Sequence, residues 1–461
     1  MSHTTVFIQL ALIYCAIFAL SGCTQTYSIE VASTQKISAT TGNFTGSLDA
    51  GDQFGTAITT IGDLELDGVI DLAIGAPYDD DNGTDRGAIW ILFMDNNGLV
   101  DVSQKISDSE GNFTDGLDDG DRFGFAVTTM SDLNMDGILD LAVGAPLDDN
   151  GGTDRGAVWI LFLNADGTVR LTQKISAQAG GFTGILDDND QFGSTLANIG
   201  DLNNDGVTDL AVGVQYDDDG GTDRGAVWIL FMNFDGSVIA QQKISFVEGN
   251  FNTSLDDGDR FGSALANAGD LNGDGISDLV VGASGDDDGG PDRGAIWILF
   301  MNVDGTVQSS RKISQSSGEF DGQLSDGDQF GNAIANVGDL NGDGVSDFAV
   351  GAYTSNDGGL DRGAVWILFM RSSNEVLSTS KLSDTAGNFN GVLTDGNQFG
   401  SAITNIGDLN SNGVIDIAVG ANLDDDGEIN AGAIWILYMA PLKVESDTKS
   451  DFDLDSLFRG T

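Results

Sequence analysis

The chain has 461 residues, 40% of them apolar, with 65 glycines and only 4 prolines; it can bury a core, turns often, and is no disordered polyelectrolyte. Seventy-two acidic residues against 19 basic ones leave a formal charge of −53, which excludes a sequence-independent grip on nucleic acid phosphates or on an anionic membrane and makes a cation the natural partner. The one histidine, His3, and the two cysteines, Cys15 and Cys23, all sit near the start, so the rest of the chain has no disulfide framework, no Ser-His-Asp or Cys-His catalysis and no ordinary zinc site.

In chain order, Val6 to Leu20 is an apolar run broken only by Gln9. It is short for a membrane span of about 20 residues and suits an export signal over residues 1–22. Leu20-Ser21-Gly22-Cys23 resembles the bacterial lipobox, which implies cleavage before Cys23 and lipidation of that cysteine. With Thr24 following, the resemblance implies an outer membrane lipoprotein or cell-surface protein, touching the membrane only through its lipid. Residues 23–35 are then the anchored N-terminus and the start of a strand, and residues 441–461 an acidic C-terminal tail.

Between residues 36 and 440 a block of 69 residues recurs six times. Lys-Ile-Ser or Lys-Leu-Ser begins at Lys36, Lys105, Lys174, Lys243, Lys312 and Lys381. Phe-Gly begins at Phe54, Phe123, Phe192, Phe261, Phe330 and Phe399, and tryptophan returns at Trp90, Trp159, Trp228, Trp297, Trp366 and Trp435. Such a period is one supersecondary unit copied around or along an axis. In the third copy the spacing predicts strands over 192–200, 210–214, 225–232 and 237–245, short apolar runs bounded by Gly and Asp clusters. Four antiparallel strands are one propeller blade. The first copy enters at its fourth strand, 29–38, and the last stops after its third, 433–439. The N-terminal strand can therefore complete the last blade, giving an all-β, six-bladed β-propeller with the tryptophans and Phe-Gly pairs as core between blades.

Between the first two strands of each copy runs an acidic loop. The six loops carry Asp63, Glu65, Asp67 and Asp71; Asp132, Asn134, Asp136 and Asp140; Asp201, Asn203, Asp205 and Asp209; Asp270, Asn272, Asp274 and Asp278; Asp339, Asn341, Asp343 and Asp347; and Asp408, Asn410, Asn412 and Asp416. Oxygen donors at positions one, three, five and nine, glycine at six and a backbone carbonyl at seven can encircle a hard cation that takes six to eight oxygens. Calcium is the expected occupant, about five to six ions in all. Position twelve is apolar (Ile74, Val143, Val212) and inside a strand, so these are hairpin loops and no EF-hand. Loop six, with the fewest carboxylates, is expected to bind weakest and loop one, with the most, to be the most acidic.

Strand alternation places these loops on one face of the disc and two long loops per copy on the other. Arg86, Arg155, Arg224, Arg293 and Arg362 end the Asp-rich long loop and are read as carboxylate clamps within it; the sixth copy has Ala431. The triple-Asp run there offers a second place for a cation. Near-identity of the copies argues against one asymmetric catalytic pocket, so no catalytic residue is assigned.

Phe-Gly, the Asp-x-Asx-x-Asp-Gly-x-x-Asp loop and Gly75-Ala76-Pro77 or Gly144-Ala145-Pro146 together resemble FG-GAP repeats, as in the integrin alpha-chain head. The resemblance implies a calcium-binding propeller, without enzyme activity, that serves cell adhesion or extracellular recognition of a protein or glycan. Integrin heads have seven blades against six here. A carboxylate-dependent polysaccharide hydrolase or lyase, and a purely structural surface protein, are the rival readings.

Overall fold

A computed structural model describes residues 25–446; the leader, Cys23 and the end of the tail lie outside that range. Among the described residues all regular structure is β, in six four-stranded antiparallel sheets and one two-stranded ribbon. In the third repeat the strands are Thr195–Gly200, Asp209–Val214, Ala226–Met232 and Val238–Ile244, close to the expected spans. The first begins at Thr195, three residues after Phe192, which forms a parallel bridge to Gly156 of the preceding blade.

The ring closes as the chain ends predict. Val31–Ser38 pairs antiparallel with Ala433–Met439, setting Lys36 opposite Trp435 as Lys105 stands opposite Trp90. This sheet continues through Asp416–Ala421 to Phe399–Gly407, whose inner edge packs on Ala57–Thr60 of the first blade. Closure removes the open ends that an extended stack of repeats would expose. The core obeys the same ring: six buried apolar clusters each draw on two neighbouring blades, the junction of last and first blade included.

Sequence explains why the blades stack so closely. Third strands such as Ala226–Met232 are buried at every position, as expected for a strand covered on both faces. At each junction a phenylalanine from the long loop joins the Phe of Phe-Gly and the tryptophan: Phe113 lies 5.1 Å from Phe123 and 5.2 Å, edge on, from Trp159, a geometry that ring quadrupoles favour. Phe-Gly and the glycine of the second strand are one device. A side chain on Gly124 would strike the Ala88 carbonyl of the preceding blade, and one on Gly75 would strike the Gly124 carbonyl.

Order extends past residue 440. Gln25–Ser28 pairs with Lys443–Ser446, and the Tyr27 and Ile29 amides each donate to a hydroxyl of blade five, Ser378 and Ser380, at 3.0 Å. The residues read as the beginning of a tail thus form a ribbon along blade five. Among the described residues no helix is long and apolar enough to cross a membrane.

Candidate metal loops

Each Asp/Asn loop joins the first two strands of its blade, and the six stand on one face. In loop one the Asp63 carboxylate accepts the amides of Asp67 (2.9 Å) and Gly68 (2.8 Å), and Asp67 accepts that of Val69 (2.8 Å). Asp71, fully buried, accepts the amides of Leu64 (2.9 Å) and Met94 (3.0 Å), fastening the loop to the end of the third strand. Asp132, Asp201, Asp270, Asp339 and Asp408 repeat the first arrangement. Asp140, Asp209, Asp278, Asp347 and Asp416 repeat the second. Glycine at position six is required by its positive φ, +93° at Gly68, the left-handed region that glycine enters freely. At position three the Asn203, Asn272, Asn341 and Asn410 oxygens accept the position-five amide.

The structure therefore brings each four-residue set into one loop, but among the described residues no three His, Cys, Asp or Glu side chains are already gathered about a single point. The donor chemistry fits a hard divalent cation all the same: carboxylate and amide oxygens only, and in loop two a solvent-shielded Asn134 Oδ1 without a hydrogen-bond partner. Burial first, then neighbouring loop carboxylates, push Asp140 and Asp347 up to about 7 and Asp209 and Asp278 up to about 6, against the amides that hold them down. Glu65 rises to about 7 through partial burial and then Asp71, Asp67, Asp63 and Asp101. Loops two and six are tempered. Arg170 pairs with Asp136 at 2.7 Å, and Asn412, in place of an aspartate, donates to the Met439 carbonyl at 2.9 Å.

On the opposite face the acidic loops carry their own cations. Lys105 reaches Asp79 at 2.6 Å and Asp81 at 2.8 Å, Lys36, Lys243 and Lys312 each reach two aspartates in the same way, and Lys174 and Lys381 reach one, Asp148 and Asp357. Each ammonium also lies 5.0–5.7 Å from the ring of the tryptophan across the ladder. The place offered to a second metal by the triple-Asp run is thus filled by lysine. Sequence reasoning used Lys-Ile-Ser only as a marker of register; its fixed distance from the Asp run was the signal available. The arginine clamp also differs from expectation. Arg86 binds Asp119 (2.8 Å) and Asp108 (2.7 Å) of the other long loop, Arg362 likewise binds Asp395 and Asp384, and Arg155, Arg224 and Arg293 bind the single aspartates Asp188, Asp257 and Asp326, so the clamp joins two loops instead of closing one.

Comparison with known proteins agrees with this architecture. The FG-GAP repeat model matches residues 123–161, 192–230, 261–299 and 330–368, each stretch running from the Phe of Phe-Gly through the Asp/Asn loop into the third strand. Integrin alpha-2 of Mus musculus is 34% identical over 167 residues, 35% of this chain and 13% of that protein. Integrin alpha-11 of Homo sapiens is 32% identical over 205 residues, 43% of this chain and 15% of that protein. Phosphatidylinositol-glycan-specific phospholipase D of Bos taurus is 32% identical over 193 residues, 41% of this chain and 22% of that protein. The matches thus span a small part of each relative's length. Four of the six repeats match the FG-GAP repeat, and all six fold alike and close into a six-bladed β-propeller.

Proposed function

We propose that the chain is an exported, Cys23-lipidated, calcium-binding propeller that acts as a cell-surface binding or adhesion module for an extracellular protein or glycan. One observation carries the calcium assignment. On the long-loop face each blade sets a lysine against its Asp run, whereas the carboxylates of the Asp/Asn loops, loop two apart, have no basic partner among the described residues. Residues at positions one, three, five and nine of each loop, from Asp63, Glu65, Asp67 and Asp71 to Asp408, Asn410, Asn412 and Asp416, would hold the ion, which supplies charge neutralisation and ties the first two strands together. Binding to the folded chain alone raises its stability by mass action.

Likeness to integrin alpha chains supports the adhesion reading and, with it, a role without enzyme activity. The phospholipase D match favours a second reading, a hydrolase, which a glycan- and phosphodiester-cleavage screen with and without chelator tests; turnover would displace the binding module. Calorimetric calcium titration of the chelated protein is expected to give about five to six ions and a higher melting temperature. A count of zero or one ends the metal assignment.

A further inference from the structure

Near-identity of the repeats breaks down around the propeller axis. A cavity of about 300 Å³ opens there towards the long-loop face, lined by the inner strands of all six blades, at the lower end of the range for small-ligand pockets, roughly 300–1,000 Å³. The position before each Phe-Gly reads Gln53, Arg122, Gln191, Arg260, Gln329 and Gln398, and the one after the second-strand glycine-alanine or glycine-valine pair reads Pro77, Pro146, Gln215, Ser284, Tyr353 and Asn422. In a chain with 72 acidic residues no carboxylate lines this cavity, and its one charged lining residue is Arg260.

Arg260 makes no ion pair among the described residues; its Nε is shielded and has no partner, and its guanidinium lies 5.8 Å from the Tyr216 ring. Across the lining the Tyr353 hydroxyl donates to Gln329 Oε1 at 2.8 Å. Asn422 is only 9% exposed, and its Oδ1 has no partner while its amide nitrogen donates towards Thr56 and Gln53. A shielded guanidinium and a buried amide oxygen, both unsatisfied, cost free energy unless a ligand or water completes them.

We propose that the axial cavity binds a small, singly charged sugar acid, its carboxylate on Arg260 and its hydroxyls on the surrounding Tyr353, Gln329 and Asn422. Charge-assisted bonds to guanidinium supply the affinity, and the ring of neutral donors and acceptors suits a polyol better than an apolar chain. Repulsion from the acidic surface is screened beyond about 8 Å at physiological salt, which a single charge tolerates and a polyanion spanning the face does not.

This site rests on the reading of the propeller as a binding module. The test is calorimetry and saturation-transfer NMR on the full, calcium-loaded chain with galacturonate, galactose and acetate. Galacturonate is expected to bind at least about tenfold tighter than either control. Arg260→Gln installs the residue found at this position in four other blades, so it should melt like the parent and lose galacturonate by about tenfold or more. Arg122→Gln, outside the lining, should leave binding unchanged, and Tyr353→Phe should weaken it without the charge change. Equal binding of galactose, unaltered binding by Arg260→Gln, or no binding at millimolar galacturonate overturns the site. If calcium-dependent capture of a surface ligand persists in that last case, only this inference fails; if capture is absent too, the binding-module reading fails with it.

Discussion

The two faces of the disc solve the same electrostatic problem in opposite ways. On the long-loop face every blade brings its own ammonium to the aspartates: Lys105 to Asp79 and Asp81, Lys243 to Asp217 and Asp219, Lys312 to Asp286 and Asp288. Within the Asp/Asn loops the carboxylates are held mainly by backbone amides, and among the described residues only Asp136 of these loops has a cationic side chain beside it. Amides fix where a carboxylate sits but leave its charge in place, and several such charges in one loop repel. The difference teaches that acidity here has two settings, one in which lysines built into the repeat meet part of the charge and one in which, on the proposed reading, an ion would have to do so.

The largest effect is expected where the internal balance is removed. Lys105 and Asp79 are both buried, and taking one partner from a buried pair leaves an uncompensated charge, a loss of about 3–5 kcal/mol. Lys105→Met should therefore lower the denaturation midpoint sharply, with or without calcium. Rescue of this variant by calcium would show that the long-loop face is a cation site too, and the contrast between faces would disappear.

Next come the loops themselves. Asp63→Asn removes one charge from the most acidic loop and one of the two oxygens that accept the Asp67 and Gly68 amides; Asp408→Asn makes the same change in the loop already tempered by Asn412, so the pair of variants differs in the charge that remains. At calcium a hundredfold above Kd a lost site removes about 2.7 kcal/mol. Titration should show a weakened but retained ion for Asp63→Asn, which keeps three carboxylates as loops two to five do, and one ion fewer for Asp408→Asn, which keeps one; the reverse order would count against charge as the determinant of affinity.

How much of this was readable follows from the range of the interactions. Strand spans, ring closure and the Trp–Phe junctions were legible because a strict period aligns them, and the loops because their oxygen-bearing side chains lie within nine residues. The Lys105–Asp79 pair and the Arg86–Asp119 clamp were not, because the partners sit on separate elements, strand and loop or loop and loop, and their constant spacing does not by itself show contact until the chain is folded. Arg260 and Tyr353 went unnoticed for a related reason: a repeat draws attention to what recurs, and the axial cavity is made from positions that do not.

Proton binding sharpens the comparison. Burial above all pushes Asp52, Asp121 and Asp190 on the long-loop face up to about 7 and Asp259 up to about 6, and the Asp/Asn loops hold Asp140, Asp209, Asp278 and Asp347 in the same range. A carboxyl with a folded pKa above its unfolded value of about 4 keeps its proton longer when folded. Its contribution is therefore full below that value and is lost as pH rises through the folded pKa. In chelator the melting temperature should fall between about pH 5 and about pH 7.5. Calcium replaces the protons of the Asp/Asn loops and should flatten only their share of the slope; a slope untouched by calcium would mean that the ion does not meet these carboxylates.

The smallest effect tests whether the arginine clamps matter at all. Arg224 holds Asp257 at 2.8 Å and lies over Phe246 at 4.7 Å, but Asp257 is well exposed. Exposed ion pairs contribute about 0.2–1 kcal/mol, too little to decide the fold of a ring whose blades share continuous buried cores. The sixth blade is the natural control: Ala431 stands where the arginine would, and the Phe54 amide still donates to the Ala431 carbonyl at 2.9 Å, as the Phe261 amide does to that of Arg224. The backbone link between blades is thus independent of the side chain. Arg224→Ala should cost no more than about 1 kcal/mol in denaturant and, because salt screens what remains, the difference should shrink further at high ionic strength. A larger, salt-insensitive loss would place the clamp with Lys105 among the groups that hold the long-loop face together.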